Sequence, residues 1–267
     1  MYFEKNGGSL IKPYLKKEFS KINIESNIVK PISNISNSIF EKSLSNNKEN
    51  NFIKYLEGLF GSRLTSKLIK LYSIGSSKYW KGATVFWQVD ISGKIRTGKI
   101  MLYNPDTGKR IKEPINHIAW AHSALNLKDF NLKQCFFGEH LLNASANKPI
   151  AIVEAEKTAI IASVYLPEFI WLATGSLSNL NLEKFKVLSK REIYLFPDLN
   201  CYTKWKLKAL EIKEALACKI FVSDFLETNA STIEKEKGYD IADYLIVRDE
   251  KFGWALSGYS YPIFWDH

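Results

Sequence analysis

The 267-residue chain carries 37 Lys and Arg against 28 Asp and Glu, a net charge of +9. Its 46% hydrophobic and 24% charged residues are the balance of an ordinary globular protein, and 13% aromatics supply a sizeable core. The positive excess points to a polyanionic partner, nucleic acid first, although a lysine-rich surface kept for solubility gives the same count.

Cys135, Cys201 and Cys218 are scattered, odd in number and form no CxxC pair, so neither a zinc ribbon nor a disulfide framework is indicated. They read as reduced core thiols of a cytosolic protein. The N-terminal "MYFEKNGGSLIKPYLKKEF" has no apolar h-region, and no later run approaches about 18 apolar residues. A soluble, cytoplasmic protein without a membrane partner is expected.

Residues 1–50 read as a flexible arm or linker, because the stretch from Ser20 to Asn51 is rich in Ser, Asn and Lys and its isolated Ile residues keep no period. In "NFIKYLEGLFGSRLTSKLIKLYSIG", Phe52, Leu56, Leu59 and Phe60 make one apolar stripe, and Leu64, Leu68 and Leu71 continue it after Gly61. Two short helices are predicted there. "ATVFWQVDISGKIRTGKIMLYNPDTGKRI" changes to strand character, with strands flanking a Ser92-Gly93 turn and a second turn at "NPDTGK". The residues from His117 to Leu142 give no clear element. Residues 51–147 are thus a basic α+β subdomain.

From Pro149 onward strand and helix alternate. Strands are predicted at Ile150–Val153, Phe169–Ala173, Glu192–Phe196 and Lys219–Val222, with helices at Glu156–Tyr165, Leu180–Leu188, Lys204–Ala217 and Ile241–Ile246. Such alternation means a parallel sheet flanked by helices, an α/β architecture over residues 148–248. The aromatic tail, residues 249–267, is expected to pack back on the body, since Trp254, Phe264 and Trp265 would otherwise form an exposed apolar patch.

In parallel sheets functional groups gather at the carboxyl ends of strands. Glu154 follows the first predicted strand, Asp198 follows the third, and Asp240 and Asp243 open the last helix on one face. Carboxylates brought together repel, and a hard divalent cation such as Mg²⁺ or Mn²⁺ relieves them. Each also has a plain alternative: Asp240 as a helix N-cap, Asp243 as a first-turn acid, Asp198 as a turn cap. Lys94, Arg96, Lys99, Lys109, Arg110 and Lys112 lie on or near the hairpins with Trp80, Trp87 and Tyr103 between them, a mixture that suits single strands. Lys94 and Arg96 share the solvent face by strand alternation, Lys99 joins them if the strand is bulged, and Ile95 points inward; a merely solvated face gives the same pattern.

"IVEAEKTAIIAS", "WLATGS", "YLFPDLN" and "GYDIADYL" resemble, in order, the successive motifs of the Toprim domain of bacterial primases, topoisomerases and related nucleases. The resemblance covers residues 72–246 and is most specific from Ile150. It implies a Toprim-type parallel sheet and assigns Glu154 to acid/base work, Gly175 to the turn after the second strand and Asp198 to metal binding. Asp240 and Asp243 resemble the late acidic pair of primase-like members, including those of bacterial mobile elements. Lys157 belongs to an "EAEKTA" variant of the first motif, where a phosphate-binding role competes with that of a surface lysine. Two positions depart from the family: Ala155 replaces a usual Gly, and Asn200 replaces the second Asp of Asp-x-Asp, so it brings an amide oxygen but no charge. The segment before the Toprim part, ending in "FFGEHLL", is similar in layout to the one that precedes Toprim in replicative primases. The implied function is divalent-metal-dependent primer synthesis on single-stranded DNA from nucleotides, with an RNA primer as product. A non-catalytic single-strand-binding module and a metal-dependent nuclease are the alternatives. Replicative primases also carry a zinc domain and a helicase-binding tail, and neither is read here.

Overall fold

The structure is a computed structural model that describes residues 30–45, 47–216 and 218–252. Most of the predicted arm (residues 1–29) and the aromatic tail from residue 253 lie outside the described residues.

Within the stretch expected to lack regular structure, helix α1 (Asn37–Leu44) forms, because Ile39, Phe40 and Leu44 fall on one face and pack against an apolar cluster. Helix α2 (Asn51–Tyr72) is the predicted pair, bent at Gly61, whose φ of 71° lies outside the helical range. Glycine tolerates that conformation without a Cβ penalty. Asn50 starts α2. Its buried side-chain oxygen accepts from the backbone N–H of Phe52 and Ile53, and its amide donates to the Gly75 carbonyl. One N-cap therefore also ties the helix to the sheet.

Strands β1 (Ile74–Ser77), β2 (Ala83–Val89), β3 (Ile95–Met101) and β4 (Ile118–Trp120) form an antiparallel sheet in that order. The β2–β3 hairpin turns at Ser92-Gly93 as predicted. Every residue of β2 is buried, since both faces of the sheet are covered. Val85, Trp87 and Val89 meet α1 and the short helix α3 (Ala121–Ala124), whereas Phe86 meets Phe52 and Tyr103 on the α2 side.

The second half is the predicted parallel sheet. Strands β5 (Ile150–Val153), β6 (Ile170–Ala173), β7 (Glu192–Leu195) and β8 (Lys219–Val222) lie in the order β6-β5-β7-β8, all parallel. Helix α4 (Glu156–Tyr165) crosses from β5 to β6, and α6 (Tyr202–Leu216) from β7 to β8. The expected helix at 180–188 is reduced to α5 (Leu182–Phe185) with a 3-10 turn on each side, because Asn181 caps a new start at the Lys184 N–H. Two short helices went unpredicted, α7 (Phe225–Asn229) and α8 (Thr232–Lys237), the latter opened by a Ser231–Glu234 capping box. Helix α9 runs from Ile241 to Phe252, longer than expected.

The two sheets share one apolar core. Phe137 bridges Ala173 at the outer edge of β6, with N–O distances of 3.0 and 3.1 Å, and stacks on Tyr72 of α2. Phe52, fully buried, touches the rings of Tyr55, Phe86 and Tyr103 in the same core. Phe52→Ala removes this ring and leaves a cavity, so it is expected to cost about 3–5 kcal/mol, read as a lowered midpoint in denaturant unfolding. A midpoint equal to wild type would show that α2 does not anchor the sheet through this contact.

Candidate functional site

Strand order builds the site. Since β5 lies between β6 and β7, the residues that follow it are held between the residues that follow its neighbours. The ladder continues past the strands: Thr174 N–H donates to the Val153 carbonyl, Gly175 N–H to the Glu154 carbonyl (2.8 Å), and Phe196 N–H to the Ile152 carbonyl. Gly175 has φ +81°, and a Cβ there would lie 3.2 Å from Glu156 Oε1. The left-handed φ favours glycine at this turn, and a Cβ would make the Glu156 side chain give by a few tenths of an ångström.

Glu154 and Asp198 are half-buried at this edge and Asp240 is 9% exposed. The Asp198 carboxyl is pushed up to about 8 by burial first, then by the negative charges of Asp240, Glu154 and Asp243, with Lys157 pulling the other way. The acids named from sequence therefore share one electrostatic neighbourhood. Helices α4 and α9 deliver the rest. Lys157 Nζ pairs with Asp243 Oδ1 at 3.3 Å, and Thr158 Oγ1 donates to Asp240 Oδ2. Burial works against the Lys157 ammonium, but Asp240 and Asp243 outweigh it and raise its pKa. Burial and Asp240 raise Asp243 in turn, against the pull of Lys157. The plain reading of Asp240 also holds, since its Oδ1 accepts the Asp243 N–H at 2.9 Å and so caps α9.

Asn200 lies two residues beyond Asp198. It is exposed, with φ 68°, at the third position of a turn closed by Cys201 N–H and the Asp198 carbonyl. Asparagine tolerates that left-handed conformation better than most residues. Its amide nitrogen donates to the Lys235 carbonyl at 3.0 Å and its backbone N–H to Glu227. Among the described residues, no three His, Cys, Asp or Glu side chains converge as a ready group of metal ligands.

The basic residues divide. Lys94, Lys109 and Lys112 are exposed. Arg96 is tied to Asp90 and Asn34, so its fork is spent within the sheet. Arg110 is half-buried, with an Nε that has no partner. Lys99 departs furthest from the solvent-face expectation: it is 8% exposed, pairs with Glu156 at 3.2 Å and donates to the Gly175 carbonyl at 3.0 Å. The strand is bulged at Arg96, since Ile95 pairs with Val89 but Thr97 with Gln88, and Lys99 therefore falls on the face opposite Ile95 and Ile100, which the parallel half covers. Trp87 and Tyr103, 2% and 4% exposed, are core side chains with no ring face open to a base.

Sequence reasoning missed Thr158, Glu156 and Lys184. Lys184 donates to the Thr174 carbonyl at 3.3 Å beside the same turn, and burial lowers its pKa to about 8. No local signal marks it, because its partner lies ten residues away across a turn.

The family model described as "Domain of unknown function (DUF6371)" matches residues 50–199. No curated protein matches the chain. Solved structures to which it is similar include the primase fragment of the bacteriophage T7 primase-helicase protein, at 15% identity over 64% of this chain and 69% of that one, TM-score 0.40. A second is the Aquifex aeolicus primase (zinc-binding and RNA polymerase domains), at 12% identity over 72% and 53%, TM-score 0.39. A third is the RNA polymerase domain of Mycobacterium tuberculosis primase DnaG, at 11% identity over 75% and 70%, TM-score 0.37. At this level of likeness no residue role carries over.

The raised Asp198 carboxyl has a consequence for stability. The folded state holds its proton up to about pH 8, whereas the unfolded chain releases it near 3.8. Between those values the folded state binds more protons, so ionisation erodes stability as pH rises through the window. Asp198→Asn removes this loss. Thermal unfolding is expected to show the variant gaining on wild type between pH 5 and pH 8; a constant difference across that range would refute the crowding.

Proposed function

The chain belongs to the DUF6371 family, and we propose that it is a primase-like Toprim protein performing divalent-metal-dependent nucleotidyl transfer on single-stranded DNA. One observation carries the reading: Asp198 is loaded by three further carboxylates from two other segments, Glu154 after β5 and Asp240 with Asp243 at the start of α9, with a single lysine drawing the other way. Crowding of this kind opposes folding beyond what the α9 cap and the Lys157 pair return, whereas a phosphoryl-transfer site uses it.

The donor chemistry fits Mg²⁺ or Mn²⁺. Asp198 and Glu154, with Asp240 and Asp243, are hard oxygen donors that would hold such an ion together with several of its own waters. Asn200 would serve as an auxiliary ligand through its amide oxygen. Such an ion supplies charge neutralisation to the phosphate oxygens in transfer. The protein does the remainder. Glu154 would accept or return the proton of the attacking hydroxyl, and the Gly175 turn holds the Glu154 backbone in place. Lys157 keeps Asp243 oriented and, with the helix starts of α4 and α9, partly offsets the negative edge. Lys94, Lys109 and Lys112, exposed on the hairpin side, would track the phosphate backbone, with Arg96, Lys99 and Arg110 supporting that surface from within. The domains read from sequence fit this division: a basic subdomain at 51–147 carries the strand and a Toprim domain at 148–248 carries the chemistry.

A second reading, single-strand binding without turnover, is favoured by Asn200, which brings no charge and spends its amide nitrogen on Lys235.

Incubation with single-stranded DNA, nucleotides and Mn²⁺ is expected to yield new strands. Shortened strands would replace the proposal with a nuclease, and salt-sensitive binding without products would favour the second reading. Glu154→Gln and Asp198→Ala are each expected to lower turnover by about 100-fold or more while single-strand affinity stays near wild type. Folded variants that lose binding as well would overturn this division of labour.

A further inference from the structure

The antiparallel sheet is used on both faces, and the face turned away from the acidic edge carries an open cleft of about 980 Å³. Strand β3 sets the division. Lys99 reaches Glu156 and Gly175 on one side, while its neighbour Ile100 lines the cleft on the other, because successive strand residues alternate faces. The cleft floor is apolar, with Val85 and Ile100. Its rim is basic: Lys42 comes from α1, Lys48 from the approach to α2, and Lys78 and Lys81 from the β1–β2 connection. All four are exposed, and among the described residues none of them enters an ion pair. Among the described residues a single acid, Glu49, lines the cleft with them.

Two rings complete the rim. Trp80 packs edge-on against His117 at 5.1 Å and against Tyr79 at 4.6 Å. Tyr79, so braced, is 52% exposed. A large exposed aromatic held in place beside four exposed lysines matches what a nucleotide chain offers: a flat base and a charge at each step.

We propose that this cleft is a second nucleic-acid site, which holds a single strand apart from the acidic edge. Phosphates lie along Lys42, Lys48, Lys78 and Lys81, and one base stacks on Tyr79. The lysines rise from three separate segments around an open groove, an arrangement that fits a backbone with spaced charges better than the clustered phosphates of one free nucleotide. An acidic peptide would satisfy the lysines but leave Tyr79 without a partner.

The test is fluorescence anisotropy with a labelled oligothymidylate, without divalent metal, over a salt series. Lys78→Glu combined with Lys81→Glu is expected to weaken binding by about tenfold or more and to lower the salt slope by about 1.4, at roughly 0.7 per lost phosphate contact. Tyr79→Ala is expected to cost about fivefold or more with an unchanged salt slope. The substituted residues are exposed, so the melting temperature serves as the folding control. Wild-type affinity and slope in the double variant would overturn the proposal, as would equal displacement of the oligonucleotide by ATP or by polyglutamate. The same measurements on Glu154→Gln should match wild type. An enzyme without turnover therefore leaves this site standing, and loss of the site need not touch turnover at the acidic edge.

Discussion

Strand β5 has a parallel partner on each side, and that constraint decides what the protein can do at the end of the sheet. Parallel strands lie about 4.8 Å apart, so the residues that leave β5 and β7 are held close whatever their charge. Glu154 cannot drift from Asp198 without breaking the bonds from Gly175 to the Glu154 carbonyl and from Phe196 to the Ile152 carbonyl. Both anchor points sit on strands with no exposed apolar surface around β5, whose four residues are fully buried. The core thus supplies the free energy that forces an unfavourable set of charges together.

How that set is tolerated is visible in its surroundings. Two helices begin there, α4 at Glu156 and α9 at Ile241, and each presents the positive end of its dipole. Lys157 adds one full charge. Asp240 loses part of its burden to hydrogen bonds, accepting from Thr158 and from the Asp243 backbone. Asp198 is pushed up to about 8 by burial and the neighbouring negative charges, against the pull of Lys157. A carboxylate that caps a helix and one that carries a raised pKa stand side by side here.

The alternation of strand and helix from Ile150 was legible because fully buried parallel strands appear as short apolar runs, and Ile150–Val153 is one. The helices α7 and α8 were not, being five and six residues long, too short for a periodic signal. Glu154, Asp198, Asp240 and Asp243 could be grouped in advance because the topology of such sheets gathers strand ends. The hairpin residues could not be assigned a face correctly. Alternation fixes which residues of β3 share a side but is silent on what covers that side, and here the parallel half covers the side of Lys99. The same silence hid Trp87, which looked available and is enclosed by α1 and its cluster. Partners such as Lys99 and Glu156, 57 residues apart, leave no local trace.

That pair has a further logic. A buried ion pair seldom repays its desolvation cost, and an apolar replacement of equal volume is often as stable. Lys99 and Glu156 are nonetheless joined by a third group, the Gly175 carbonyl, which takes up another proton of the ammonium. The value of the arrangement lies in register. A slip of β3 by one residue would send every side chain to the opposite face. Lys99 would then enter the apolar cluster of Val85, Trp87 and Ile100 with no partner, and Ile100 would meet Glu156. Apolar residues alone would penalise that slip weakly, because both faces of this sheet are buried and either accepts an isoleucine. One charge with one matching carboxylate makes the two faces inequivalent. The antiparallel half is thereby locked to the turn that frames Glu154.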